Sequence, residues 1–322
     1  MGDAVDVLVL FEHPEWHQPL FTALRRRGLS FRAFDLKQAA FDPKSLPSAR
    51  LVYNQASPSA YTRGNDRAVP LARTLLRTYE AAGVPVMNGF SAFSLELSKA
   101  AQVALLERIG VRAPRTLVFD DVEALVAQLD REPRPFPFPA LVKPDQGGSG
   151  ARMLEVSGVD TLRDVVRDPA LWSPDPVLLL QEKLAYDPAH GIVRLEIVGG
   201  RLLYAMRVVG HGAFNLCPSE VCHPSDDESG ACAIATGPAV EFHPYPDVPD
   251  RAVRDALSIA EAGGLDVAGV EYAEVDGEPV FYDVNANSNL RPPIGEAFGF
   301  DPFERVVDEL ERRSKAELAG NR

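Results

Sequence analysis

The chain is poor in cysteine, with three in 322 residues: Cys217, Cys222 and Cys232. An odd trio confined to one short stretch cannot form a disulfide framework, and a reducing compartment is the simpler setting. The spacing C-x4-C-H-x8-C, with His223 inside it, matches no finger or ribbon pattern for zinc. The cysteines read instead as small apolar fillers of a loop beside a site, with Asn215 as a phosphate or substrate contact. Long apolar runs are also missing, and none approaches the ~18 residues of a membrane span. The start Met1-Gly2-Asp3-Ala4-Val5-Asp6 lacks the cationic opening of a signal peptide, and Asp6 breaks the myristoylation pattern. A soluble, cytoplasmic protein with no membrane partner is expected.

Positive charge is scarce. Lys plus Arg total 33 against 46 Asp plus Glu, a net charge of −13. No basic run is longer than Arg25-Arg26-Arg27. Such a surface repels nucleic acid, which is excluded as a partner. An anionic small molecule could bind only in a pocket carrying its own cations. Two nucleotide signatures are absent as well. No G-x-G-x-x-G follows the first apolar run, and no Gly-Lys-Ser/Thr opens a helix.

What remains is an ordinary globular composition, 46% hydrophobic and 25% charged, which excludes disorder. The length suits two or three packed units. The first part alternates apolar strands (residues 5–11, 29–34, 51–54 and 84–87) with amphipathic helices at 14–27 and 69–82. That order predicts a small parallel sheet with helices on it. Further on, one helix is expected over 95–109, a strand over 116–119 and a helix over 122–129. A hairpin follows, residues 140–143 and 153–156 flanking Gly147, Gly148, Ser149 and Gly150, then a strand over 177–182. Two more hairpins are expected, 192–198 with 201–208 and 267–275 with 279–284. Helices over 251–262 and 302–313 complete the reading.

Two features could carry chemistry. Lys143 ends a strand beside the glycine-rich loop. Glycines let backbone N–H groups approach a phosphate, although a plain hairpin turn reads the same way. Asp283 and Asn285 are two apart in a strand and share a face. With a three-residue turn at 276–278, Glu271 lies opposite Asp283 on that face. Acids on an apolar sheet are costly unless paired or metal-bound, and these hard oxygen donors suit Mg²⁺; the alternative is an edge strand facing water. Arg291 could hold a substrate carboxylate or stabilise an acyl phosphate, or simply cap a loop before Pro292-Pro293. Arg194 is either a site residue or a surface charge on an alternating strand.

The ordered set ALVKPDQGGSGARMLEV, LLLQEKLA, IVRLEIVGGRLLYAMRVV, LDVAGVEYAEVDG and VFYDVNANSNLRP resembles the ATP-grasp superfamily. Within it, the chain is most similar to the ribosomal-protein-modifying glutamate ligases and glutathione synthetase. The resemblance implies an N-terminal α/β domain over 1–93 and an ATP-grasp fold over 94–322, two α+β subdomains sandwiching ATP. The lid-bearing subdomain would span about 115–180 and the C-terminal one about 181–315. Lys99 and Lys143 would contact ATP, and Gly147, Gly148, Ser149 and Gly150 would close as a lid. Gln181, Glu182, Lys183 and Leu184 would hold adenine, with Asp187 the nearest candidate for ribose. Glu271, Asp283 and Asn285 match the Mg²⁺ ligands, with Mn²⁺ as an alternative ion. Asp283 stands where the family usually has Glu. Arg207 would sit near the transferred phosphoryl group, and Arg194, Asn215 and Asn289 would face substrate. The implied activity is ATP-dependent, ADP-forming joining of a small-molecule or peptide carboxylate to an amine through an acyl phosphate. A phosphotransferase and a non-catalytic nucleotide binder are the competing readings. Arg194, Arg207 and Arg291 are expected to converge near the metal face. The oligomeric state is left open between monomer and homo-oligomer.

Overall fold

A computed structural model describes residues 4–148, 150–172, 176–210 and 240–320, with backbone alone for 317–320. The first apolar run is β1 (Val5–Phe11), followed by α1 (Gln18–Arg26), β2 (Phe31–Asp35), β3 (Ala49–Gln55), α2 (Ala68–Ala81) and β4 (Val86–Met87). The strands form a parallel sheet in the order β2-β1-β3-β4. Alternation divides β1 between two cores: Val7 and Val9 pack with Leu20 and Leu24 of α1, and Leu8 and Leu10 with Leu75 and Leu76 of α2. Burial on both faces is why β1 is apolar from Val7 to Phe11, each such side chain contributing roughly 1.5–3 kcal/mol. The helix expected from residue 14 becomes α-helical only at Gln18, after one 3₁₀ turn, Glu15–His17. Pro19 stands in its first turn, where no N–H is needed.

The single helix expected over 95–109 is two helices, α3 (Phe90–Glu96) and α4 (Lys99–Arg108). Ser98 breaks them. It is extended (φ −132°, ψ 107°), and its Oγ accepts from the Ala101 N–H at 3.1 Å. Asp145 accepts from the Ala100 N–H at 2.8 Å. Two carbon–oxygen acceptors thus satisfy free N–H groups of α4, and capping outweighs continuation. The break places Glu96 at the end of one helix and Lys99 at the start of the next.

A second sheet follows: β5 (Thr116–Phe119), α5 (Val122–Leu129), β6 (Ala140–Pro144), β7 (Leu154–Val156), α6 (Val159–Val165) and β8 (Leu178–Glu182). Its strands are antiparallel in the order β5-β8-β6-β7, and Val142 pairs with Leu154 around the glycine-rich loop. The third sheet comprises β9 (Ile192–Val198), β10 (Arg201–Val209), β11 (Glu241–Pro244), β12 (Val267–Val275) and β13 (Glu278–Asn285), with α7 (Asp250–Gly263) between β11 and β12. The order is β11-β10-β9-β12-β13, all antiparallel. The helices α8 (Pro292–Ala297) and α9 (Pro302–Gly320) close the chain. Neither α6 nor β11 is anticipated from the sequence; both are short, and β11 is largely exposed.

The β12–β13 hairpin reaches the expected pairing by another route. Its turn holds two residues, Asp276 (φ 55°) and Gly277 (φ 76°), and Val275 pairs with Glu278. Positive φ at both positions is the twist-compatible turn that Asp-Gly favours. That register alone would set Glu271 opposite Tyr282. An irregularity between Glu271 and Tyr272 shifts it by one, so Glu271 pairs with Asp283. The bulge re-aims the carboxylates onto one face.

Candidate active site

A cavity of about 240 Å³ opens where the three sheets meet. Lys143 on β6 lines it, with Gln181, Glu182, Lys183 and Leu184 from β8 and the chain just beyond. This stretch is held from behind. Gln181 Nε2 donates to Thr116 Oγ1 at 2.9 Å, the Glu182 N–H donates to the Arg115 carbonyl at 2.8 Å, and Lys183 Nζ meets Glu155 at 2.6 Å. Lys143 is 7% exposed. Burial, with Lys99 repelling it, pushes its ammonium down to about 7, against the opposing pull of Asp283 and Glu271. A cation so placed is a ready partner for an anionic guest.

Glu271, Asp283 and Asn285 line the same cavity, as does Arg194. Lys99 Nζ donates to Asp283, and Asn285 Nδ2 donates to the other Asp283 oxygen at 3.1 Å. Burial opposes the Asp283 charge, but Lys99 outweighs it and holds the carboxyl below its usual range. The same contact keeps Lys99 above its usual range despite burial. Glu271 moves the other way. Burial and the nearby Asp283 charge raise it, although Arg194 Nη1 donates to it at 2.6 Å and the Tyr282 hydroxyl at 3.1 Å. Arg194 also bonds Glu196 at 2.6 Å and Ser288 Oγ at 3.0 Å. It is 4% exposed, so the surface alternative is wrong. Its guanidinium lies flat over β12, and a Cβ on Gly269 would come within 2.0 Å of it. Glycine at 269 therefore makes room for the arginine.

Two carboxylates and an amide on one face are hard donors of the kind a Mg²⁺ ion accepts, and both acids already hold cations, Lys99 and Arg194. The donor chemistry fits such an ion. Among the described residues no group of three or more His, Cys, Asp or Glu side chains is placed to hold a metal ion, so Asn285 would be the third protein donor.

Gly147, Gly148 and Gly150 line the cavity, and Ser149 lies outside the described residues. The loop abuts the N-terminal sheet's side of the site: a Cβ on Gly148 would lie 2.7 Å from Ser59 Cβ. Trp16, Ser57, Pro58 and Ser59 complete that wall. Asn289 lines the cavity as expected, and Asn215 with all three cysteines lies outside the described residues.

Three expected residues are not brought into the cavity. Arg207 lies on the opposite face of the large sheet, its guanidinium 4.1 Å from the Tyr245 ring centre, donating to the His190 carbonyl at 3.1 Å. It pairs with Val193, one residue out of phase with Arg194, and the alternation of a strand sends the two to opposite faces. Arg291 begins α8 with its guanidinium 3.9 Å from the Phe242 ring centre and its N–H on the Tyr204 hydroxyl at 2.9 Å. Asp187 is exposed, accepting from the Ala189 N–H at 2.9 Å and facing His190 at 3.2 Å. The expected convergence of Arg194, Arg207 and Arg291 is thus not met; Arg194 alone of the three lines the cavity.

Sequence reasoning missed Glu96. This side chain, 4% exposed, lines the cavity at the end of α3. Burial pushes its carboxyl up to about 8, helped by the Asp283 charge and opposed by the Asn287 N–H. Read as part of one continuous helix, Glu96 was another helical acid; only the break at Ser98 exposes its role.

Comparison with known proteins bears on the fold. No family model matches the chain. A D-alanine–D-alanine ligase from Anaeromyxobacter sp. (strain Fw109-5) is 23% identical over 244 residues, 71% of this chain and 72% of the relative. A RimK domain protein ATP-grasp from Sphaerobacter thermophilus DSM 20745 aligns with a TM-score of 0.67 at 18% identity, covering 94% of this chain and 98% of that one. The chain has the ATP-grasp fold. The ATP-grasp ligase PsnB, solved with a phosphomimetic variant of a minimal precursor, Mg and ADP, aligns at a TM-score of 0.64 and 20% identity over 96% of this chain and 99% of its own. Both ATP-grasp matches span all three sheets described above. Among the described residues, no helix is long and apolar enough to cross a membrane.

Proposed function

We propose that this protein is an ATP- and Mg²⁺-dependent ligase that activates a small-molecule or peptide carboxylate as an acyl phosphate and passes it to an amine. The observation that carries this reading is one cavity lined together by the buried Lys143, the Glu271–Asp283–Asn285 face and a glycine-rich loop. The solved PsnB complex with Mg and ADP supports the same assignment of ligands to the fold.

In this reading residues 181–184 hold adenine, largely through backbone groups, and Lys143 with Lys99 holds the phosphates. Glu271, Asp283 and Asn285 would hold Mg²⁺, which supplies charge neutralisation at the terminal phosphates. A carboxylate oxygen attacks the γ-phosphorus, the bond to the bridging oxygen breaks, and ADP leaves. Nitrogen then attacks the acyl carbon, the carbon–oxygen bond breaks, and inorganic phosphate leaves. Gly147, Gly148 and Gly150 line the site, Gly148 against Ser59, where the loop would keep water from the acyl phosphate. Arg194 acts as a positioning residue, holding Glu271 in place. Asn289 faces the substrate. Residues 1–93 supply one wall of the site, and residues 94–322 form the nucleotide-binding unit and the rest of the substrate side.

ADP release with ATP and Mg²⁺, measured across the twenty L-amino acids, D-alanine and D-serine, tests the reading. Acid-dependent ADP and phosphate with an amide product are expected. Accumulation of a stable phosphorylated product instead would replace the ligase with a phosphotransferase.

A further inference from the structure

We infer that Glu96 and Asn287 receive the N–H groups of the attacking amine, which makes them the nucleophile's recognition site. The inference rests on the ligase reading above. The Asn287 N–H donates to Glu96 Oε1 at 3.0 Å, which leaves Glu96 Oε2 with no hydrogen-bond partner among the described residues. Asn287 Nδ2 donates to the Gln55 carbonyl at 3.0 Å, which fixes the amide and leaves Asn287 Oδ1 equally without a partner. Both residues line the cavity, and Glu96 is 4% exposed.

Asn287 Oδ1 is a buried acceptor without a donor, and Glu96, whose carboxyl burial holds at about 8, carries in the empty site a proton that a cationic guest would displace, turning Oε2 into a second acceptor. Phosphate oxygens and a substrate carboxylate offer acceptors alone and cannot satisfy Asn287 Oδ1. An ammonium or amine offers two or three N–H groups. The charge balance points the same way. Glu96 faces Asp283 of β13, which disfavours its ionised form, while Lys99 of α4 and Arg194 of β9 favour it only weakly against burial. A cationic guest supplies the missing compensation. The position suits the reaction as well, because Glu96 feels the charges of Lys99 and Asp283, beside which the acyl phosphate would form. Ser57, Ser59 and Trp16 continue the same wall toward the N-terminal sheet.

The test compares wild type with Glu96→Gln, which keeps the shape and removes the charge. Each is given ATP, Mg²⁺ and the same amino-acid panel, with hydroxylamine or glycinamide as nucleophile. Hydroxylamine is small and neutral; glycinamide is a primary ammonium without a carboxylate. Both proteins are expected to form hydroxamate with an unchanged KM for ATP. Glu96→Gln is expected to raise the KM for glycinamide by about tenfold or more, the scale of a lost charge-assisted hydrogen bond. Asn287→Ala carries the same expectation and substitutes if Glu96→Gln does not fold. Equal glycinamide KM values, or hydroxamate formation that glycinamide neither replaces nor inhibits, would overturn the inference alone. No hydroxamate from wild type with any acid would remove the ligase reading and the inference with it.

Discussion

Placed against phosphate as proposed, Lys143 would make the nucleotide affinity pH-dependent, with a slope that follows from its surroundings. In the empty site burial and Lys99 hold its ammonium near 7, far below an ordinary lysine. A phosphate group beside it would restore the proton, so binding above pH 7 takes up about one proton. The sign is fixed by that order: affinity is greatest where Lys143 is already charged and falls as pH rises through 7. The first pH unit above 7 costs about fivefold and each later one about tenfold until the bound form itself titrates, so between pH 7.0 and 8.5 the loss is about fifteenfold. Calorimetry with a non-hydrolysable ATP analogue, in buffers of different ionisation enthalpy, measures both affinity and proton uptake. Wild type should take up about half a proton at pH 7.0 and nearly one at pH 8.5. Lys143→Met should bind weakly at both values and show no such uptake. A pH-independent wild-type affinity, or the same slope in Lys143→Met, would refute the placement of Lys143 against phosphate.

Other consequences are as direct. Asp283→Ala and Asn285→Ala should abolish Mg²⁺-dependent ATP turnover while leaving far-UV circular dichroism unchanged; turnover at low Mg²⁺ near that of wild type would contradict the metal face. Gly269→Ala drives a Cβ into Arg194 and breaks its bonds to Glu196, Glu271 and Ser288, which should destabilise the protein by about 3 kcal/mol in urea unfolding. Gly148→Ala should impair ATP turnover by forcing the loop off Ser59, and Ser59→Gly should restore it, because the clash is with the Ser59 side chain. Arg207→Ala should leave nucleotide affinity unchanged, since Arg207 lies on the far face of the sheet.

Strands were legible where their burial was uniform. The run over 5–11 and the strands at 116–119 and 192–198 read correctly because apolar residues or strict alternation leave one answer. The Glu271–Asp283 pairing was legible too, although the three-residue turn assumed for it was wrong; a two-residue Asp-Gly turn and a bulge compensate each other. The break at Ser98 was hidden because Leu95, Leu105 and Leu106 keep helical spacing across it, and its cap partner Asp145 lies 45 residues away. With that break went Glu96. Arg207 and Arg194 illustrate a different limit. Both are arginines on strands of one sheet, and only the register between β9 and β10 tells which faces the cavity.

The central claim is that a carboxylate oxygen, and no other nucleophile, takes the γ-phosphoryl group before the amine arrives. Transfer of ¹⁸O tests it. A carboxylic acid substrate labelled in both carboxyl oxygens, supplied with ATP, Mg²⁺ and amine, should yield inorganic phosphate carrying one ¹⁸O atom for each amide formed, because the carbon–oxygen bond breaks in the second step. Unlabelled phosphate accompanying amide formation would contradict the acyl-phosphate route and the assignment of the cavity built on it.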